Sequence, residues 1–327
     1  MPTLKDVAEK AGVTVTTVSR VINNRGYLSE DTKHKVKQAM QELHYQPNEL
    51  ARSLSKQVTN TIGIITPHIT HPYFSQLISH LENAASKRGF KILLCNSKED
   101  HSREAEYIDL CKSNRAVGII FCGMILASEQ YTQQRIPFVA IECNSPLCAS
   151  TILCDNYEGG RLAAEHLIAC GCKNLIHFSG IIDQKMPGDS RSQAFREVCQ
   201  KHGIDFEIIW TRDNTYYSMD YRDPIRQTLL EHPDTDGIFA SSDLIAAQVI
   251  QVCTEMGKQI PQHIKLVGFD DVALSSLTTP QISTIHQPTK EMAEMAVDSL
   301  IKSSIGETAP SKLVLPVSLV KRRSTGW

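Results

Sequence analysis

The chain has 327 residues, 34 Lys and Arg against 36 Asp and Glu, and a formal charge of −2. At 41% hydrophobic and 21% charged residues it has the apolar content for large cores, and its length suits roughly two domains. This balance excludes a uniformly basic, histone-like protein and a low-complexity disordered chain, and no apolar run approaches the roughly 18 residues of a membrane span. The opening residues Met1 to Asp6 carry acid early and lack an apolar stretch, so no secretory leader is expected. The ten cysteines are scattered without a C-x-x-C pair, which fits reduced core thiols in the cytoplasm. His68 and His71 form H-x-x-H with no third ligand in view, so no metal is expected.

The charge is unevenly placed. Residues 1–58 hold nine Lys and Arg and six acids, a net +3, and the remainder carries −5. Within the basic part, Leu4, Val7, Ala8 and Ala11 recur at helical spacing. Gly12 can supply the positive φ of a turn, and Thr14 can cap the next helix. Val18 and Val21 give that helix a buried side and leave Val15, Thr16 and Arg20 outward. Thr17 and Ser19 can reach phosphates. Two short helices joined by a glycine turn make a helix-turn-helix, whose second helix enters the major groove. Arg20 can bind guanine bidentately, and Val15 can touch a thymine methyl. A plain three-helix bundle is the alternative. A loop through Tyr27 leads to a third helix, about 30–43, capped by Ser29 and buried through Val36, Ala39, Met40 and Leu43. Asn48 can then cap a helix of about two turns, a length that is marginal in water without stabilisation.

Lys5-Asp6-Val7-Ala8, Ala11-Gly12-Val13, Thr17-Val18-Ser19-Arg20-Val21 and Pro47-Asn48…Ala51-Arg52-Ser53-Leu54 resemble the signature of the LacI/GalR family of bacterial transcription regulators. The resemblance runs from residue 3 to about 322. It implies that Pro47 to Leu54 is a hinge helix that orders on operator DNA, with Leu54 as a minor-groove wedge, a role that suits an apolar side chain. The expected DNA contacts are Thr14, Val15, Thr16, Thr17, Ser19, Arg20, Asn23, Tyr27, Asn48, Ala51, Arg52 and Leu54. Asn23-Asn24-Arg25-Gly26-Tyr27-Leu28-Ser29 and Cys95-Asn96-Ser97 look most like ribose and sucrose operon repressors.

Beyond residue 59, apolar runs of strand length recur at 62–65, 92–95, 117–121, 138–141, 175–178, 208–210, 237–240 and 264–267, separated by helical stretches. Such alternation predicts an α/β core of doubly wound parallel sheets with sites at the carboxyl ends of the strands. The resemblance implies two lobes like a periplasmic sugar-binding protein, joined by three crossovers. The expected division is 1–47 helix-turn-helix, 48–58 hinge, and 59–327 effector binding and dimerisation. Lobe 1 takes about 60–156 and 288–312, and lobe 2 takes 157–287 and 313–327. The stripe from Phe74 to Ala85 is either a dimer interface or ordinary core.

Candidate effector residues follow from the strand ends. Tyr73 and Phe74 can stack on a sugar ring. His68 and His71 stand where the family usually has Asp or Asn. Asp155 precedes a helix N-terminus, and Trp210 and Tyr216 are candidate walls. Asp243 is either a ligand contact or an N-cap. The resemblance assigns effector contact to Arg191 and Asp270. An arginine facing an aspartate suits a polyhydroxylated ligand, since one donates and the other accepts. No G-x-S-x-G, Walker lysine or G-x-G-x-x-G motif is present, so no enzyme and no cofactor are expected. A transport receptor and an architectural DNA binder without an effector are the rival readings.

The expectation is a nucleoid-associated cytoplasmic homodimer that reads a pseudopalindromic operator. A sugar or sugar phosphate releases it, and a corepressor of opposite sign is the alternative. The last residues lack a leucine heptad, so a dimer rather than a tetramer is expected.

Overall fold

The computed structural model describes residues 2–22, 26–45, 59–98, 100–123, 136–143, 145, 148–181, 186–211, 215 and 218–327. They fall into two compact units, Met1–Thr59 and Asn60–Trp327. No helix among the described residues is long and apolar enough to cross a membrane.

In the first unit, α1 (Leu4–Ala11), α2 (Val15–Ile22) and α3 (Glu30–Glu42) surround a small core of Val7, Ala8, Val18, Val36 and Ala39. Thr3 and Asp6 form a reciprocal capping box at the start of α1. Gly12 ends that helix at φ +65°, where a side chain is strained. The Thr14 hydroxyl accepts the Thr17 N–H (3.2 Å) and caps α2, which starts at the next residue. Ser29 does the same for α3.

The second unit begins with β1 (Thr61–Thr66), α4 (Pro72–Lys87), β2 (Lys91–Asn96), α5 (His101–Ser113), β3 (Gly118–Cys122), β4 (Phe138–Ile141) and β5 (Ser150–Cys154), the body of the first lobe. The chain then crosses into the second lobe. There it forms α6 (Asn156–Ala169), β6 (Asn174–Ile181), α7 (Asp189–His202), β7 (Asp205–Thr211) and α8 (Arg222–Glu231). It continues through β8 (Gly237–Ala240), α9 (Asp243–Glu255), β9 (Lys265–Asp270), α10 (Ala273–Leu277) and β10 (Ser283–His286). α11 (Thr289–Ser304) and β11 (Lys312–Leu315) return to the first lobe, and β12 (Ser318–Val320) ends in the second.

The first sheet runs β2-β1-β3-β4-β5-β11, parallel throughout. The second runs β7-β6-β8-β9-β10-β12, with β12 antiparallel at its edge. Parallel strands covered by helices on both faces explain the unbroken apolar runs. β5, β10, β11 and β12 lie outside the runs predicted as strands.

The third crossover falls after Leu315, not at 312, because Leu313 and Leu315 complete the apolar edge of the first sheet beside β5. Phe74, Leu77, Leu81, Ala84 and Ala85 are buried in the core of their own chain, and α4 packs on α11, so this stripe is not an exposed interface.

Candidate functional site

In the first unit, Val15 (44% exposed), Thr16 and Arg20 share the outer side of α2, and Tyr27 is fully exposed in the following loop. Thr17 and Ser19 are half-buried. The Thr14 and Thr17 hydroxyls pair with each other (2.9 Å), so both serve the helix start. Asn23, Asn48, Ala51, Arg52 and Leu54 lie outside the described residues.

In the second unit, a cleft of about 180 Å³ opens where the carboxyl ends of the two sheets face each other. Tyr73, Phe74, Arg191 and Asp270 all line it. Arg191 stands in the first turn of α7. Its Nε donates to Asn156 Oδ1 (2.7 Å), its Nη1 donates to the Ser241 carbonyl (2.8 Å), and its guanidinium carbon lies 3.5 Å from the Phe269 ring centroid. Asn156 donates in turn to Glu142 (2.8 Å), whose other oxygen accepts the Cys154 N–H (2.6 Å). The cation is therefore stacked on one lobe and tied by a row of bonds to the other, an arrangement that uses the planar fork of arginine. Gly160 makes room for it: a methyl there would overlap the Arg191 carbonyl where α6 and α7 pack.

Asp270 ends β9 at φ +110° and is 4% exposed. Gln287, in the second crossover, donates to its Oδ1 (2.7 Å). Burial pushes its carboxyl up to about 7, against the opposing pull of Arg191 and Gln287. It thus holds its proton more tightly folded than unfolded, so its contribution makes stability fall as pH rises from about 4 to about 7 and level off above. Urea unfolding across that range should show a flatter slope in Asp270→Asn; an unchanged slope would assign the titration to other groups.

His71 caps α4: its Nδ1 accepts the Tyr73 N–H (3.2 Å). Burial pushes its ring down to about 4, so it is neutral and carries its hydrogen on Nε2. Tyr73 Oη and Gln287 Oε1 are buried with no hydrogen-bond partner among the described residues. Two such atoms on the walls of one cleft are costly unless a ligand meets them.

Three expected effector residues stand elsewhere. Asp155 caps α6 by accepting the Glu158 N–H (3.0 Å) at the first crossover. Asp243 is fully buried behind the cleft. Its oxygens take the Thr284 hydroxyl (2.6 Å) and the Val272 N–H (2.9 Å), while Ser242 is the N-cap and lines the cleft. Trp210 lines a separate groove with Asp220 and Asp223, and its neighbour Thr211 borders both that groove and the cleft. Tyr216 lies outside the described residues.

Glu142, Ser179, Ser241 and Gln287 line the cleft without having been singled out. Glu142, Ser179 and Ser241 directly follow the predicted runs 138–141, 175–178 and 237–240, so the strand-end rule was enough to find them. Gln287 follows β10, which lies outside those runs.

Among known sequences, the profile of "Bacterial regulatory proteins, lacI family" matches residues 3–48, and that of "Periplasmic binding protein-like domain" matches residues 164–325. The chain is 36% identical to a ribose operon repressor of Halalkalibacterium halodurans, over 99% of this chain and 97% of the relative. It is 35% identical to a sucrose operon repressor of Streptococcus mutans, over 98% of each. Among solved structures it is similar to the Lac repressor dimer bound to operator and the anti-inducer ONPF, with a TM-score of 0.86, 26% identity and 99% of each chain covered.

Proposed function

The chain belongs to the lacI family of bacterial regulatory proteins, and on that premise we propose that it is a DNA-binding repressor of a carbohydrate-utilisation operon, released when an uncharged sugar closes the cleft. The observation that carries the effector half is the fixed Arg191 beside Asp270, with the unpartnered Tyr73 Oη and Gln287 Oε1 on the same walls. Three carboxyl groups of the described cleft, Glu142, Asp189 and Asp270, stand with one arginine. A phosphate ester would meet more acid than base there, which favours a neutral sugar over a sugar phosphate. The small volume, below the roughly 300–1,000 Å³ of drug-sized sites, suits a ligand of about one sugar ring.

In this reading two copies pair, and their helix-turn-helix units read half-sites one helical turn apart. Closing the lobes weakens the hold of the paired units on the operator. A 100-fold change in operator affinity needs about 2.7 kcal/mol of coupling. An operator reader works where the chromosome is, which makes the cytoplasm its proposed location.

The test is operator binding by the full-length protein, followed by fluorescence anisotropy, with D-ribose, D-fructose, sucrose or D-ribose 5-phosphate added. Release by a neutral sugar is expected. Release by the phosphate ester alone would refute the neutral-sugar reading, and tightening would reverse the sign of control. On the DNA side, Arg20→Ala should cost about 1–3 kcal/mol, mostly at one base pair. An equal loss on every sequence would remove Arg20 from base reading.

A further inference from the structure

The second lobe holds a buried histidine with no part in the cleft chemistry above. His177, in β6, is fully buried and stacked on Phe239, with ring centroids 4.4 Å apart. Its Nδ1 lies 3.0 Å from the Phe239 carbonyl oxygen, and its Nε2 lies 3.0 Å from Ser192 Oγ. Ser192 Oγ is hydrogen-bonded in turn to Ser179 Oγ, and Ser179 lines the cleft.

The protons along this row follow from its fixed end. A carbonyl oxygen only accepts, so Nδ1 carries the ring hydrogen. Burial, helped by the nearby Arg191 cation, pushes the ring down to about 3, so it is neutral and Nε2 is bare. Ser192 must then donate to Nε2, which spends its one proton. Ser179 must donate to Ser192, which spends the other. Ser179 therefore meets the cleft with lone pairs alone, although a free serine could donate or accept.

We propose that His177 and Ser192 are positioning residues that fix Ser179 Oγ as a hydrogen-bond acceptor for one hydroxyl group of the bound sugar. This rests on the neutral-sugar reading and names one contact within it. It sets an accepting point at Ser179 on the same lobe as the donating Arg191. A ligand must present a hydroxyl hydrogen at this point. An ether, carbonyl or fluorine at the same point would set lone pair against lone pair.

Two measurements on the full-length protein test this. In long-range proton–nitrogen NMR of ¹⁵N-histidine-labelled protein, one ring should be a neutral Nδ1–H tautomer whose Nε2 signal moves in Ser192→Ala. An Nε2–H tautomer or a charged ring at that position overturns the relay.

The second measurement uses whichever of D-ribose, D-fructose and sucrose releases the operator, with its monodeoxy and monodeoxyfluoro analogues. At one hydroxyl, both analogues should bind about tenfold more weakly, because neither can donate. Ser179→Ala should show that tenfold loss for the parent sugar and no further loss on removing that hydroxyl. In Ser192→Ala the Ser179 proton is freed, and the fluoro analogue should regain affinity over the deoxy one, a change that loosened packing alone would not produce. A fluoro analogue equal to the parent at every position, or Ser179→Ala uncoupled from every hydroxyl, overturns the proposal. If none of the three sugars acts on the operator, the sugar reading fails, and the NMR result decides the relay by itself.

Discussion

Arg191→Ala should leave operator affinity in the absence of sugar within about twofold and weaken sugar binding by 100-fold or more. The guanidinium is held by Asn156, the Ser241 carbonyl and the Phe269 ring, which spend Nε, Nη1 and the flat face. The remaining nitrogen is left to meet a ligand hydroxyl beside Asp270. A hydrogen bond to a charged group contributes about 1.5–3 kcal/mol. Losing one such bond, together with the geometry Arg191 imposes on Asn156, reaches the roughly 2.7 kcal/mol that 100-fold requires. Arg191→Lys should not rescue it, because an ammonium cannot stack and fork at once. Calorimetric titration of the sugar that releases the operator, with anisotropy on the operator, separates the two affinities. A full sugar response in Arg191→Ala would remove this residue from the site.

Gly160→Ala should be the most damaging single methyl in the second lobe. Its Cβ would overlap the Arg191 backbone, which cannot rotate away as a side chain tip can. Overpacking of this kind costs about 1–3 kcal/mol, and in a unit of this size each kcal/mol lowers Tm by roughly 2–4 °C. The same shift carries Arg191 off Asn156, so sugar affinity should fall with stability. Gly203→Ala is the contrast: φ is +62°, nothing lies within 4 Å, and the strain stays local at the end of α7. It should cost about 1 kcal/mol and leave the sugar response unchanged. Equal sugar affinities in Gly160→Ala and the parent protein would separate helix packing from the site.

The three helices of the first unit were legible because their ends are local chemistry. Thr14, Ser29 and the turn at Gly12 announce themselves within a few residues. The long parallel strands were legible because burial on both faces leaves continuous apolar runs. β5 and β10 were not, and their polar residues show why. Ser150 donates to the Pro310 carbonyl (2.6 Å), Ser283 to the Arg322 carbonyl (3.0 Å) and Thr284 to Asp243 (2.6 Å). Each partner is distant in the chain, so the side chain reads as a surface or turn residue until the fold supplies its acceptor.

The candidate site divides along the same line. Arg191, Asp270, Tyr73 and Phe74 reach the cleft from motifs. Asp243 and Asp155 instead serve the backbone, because a carboxylate beside a helix start has N–H groups to accept before any ligand arrives. His177 carried no local signal, since its role depends on Phe239, 62 residues away.

The three crossovers also govern the order in which the chain can fold as it leaves the ribosome. The first lobe lacks α11 and β11 until residue 315 has emerged, long after β5 is made. The second lobe waits still longer, for β12 and for Ser324, whose buried hydroxyl bonds the Leu266 carbonyl (2.6 Å) and whose Oγ receives the Ser283 N–H (2.8 Å). Neither lobe is complete before residue 315 has emerged. The contiguous helices α1 to α3 are complete within the first 42 residues. Between those two points a nascent chain carries a complete set of N-terminal helices on an unfinished sensor.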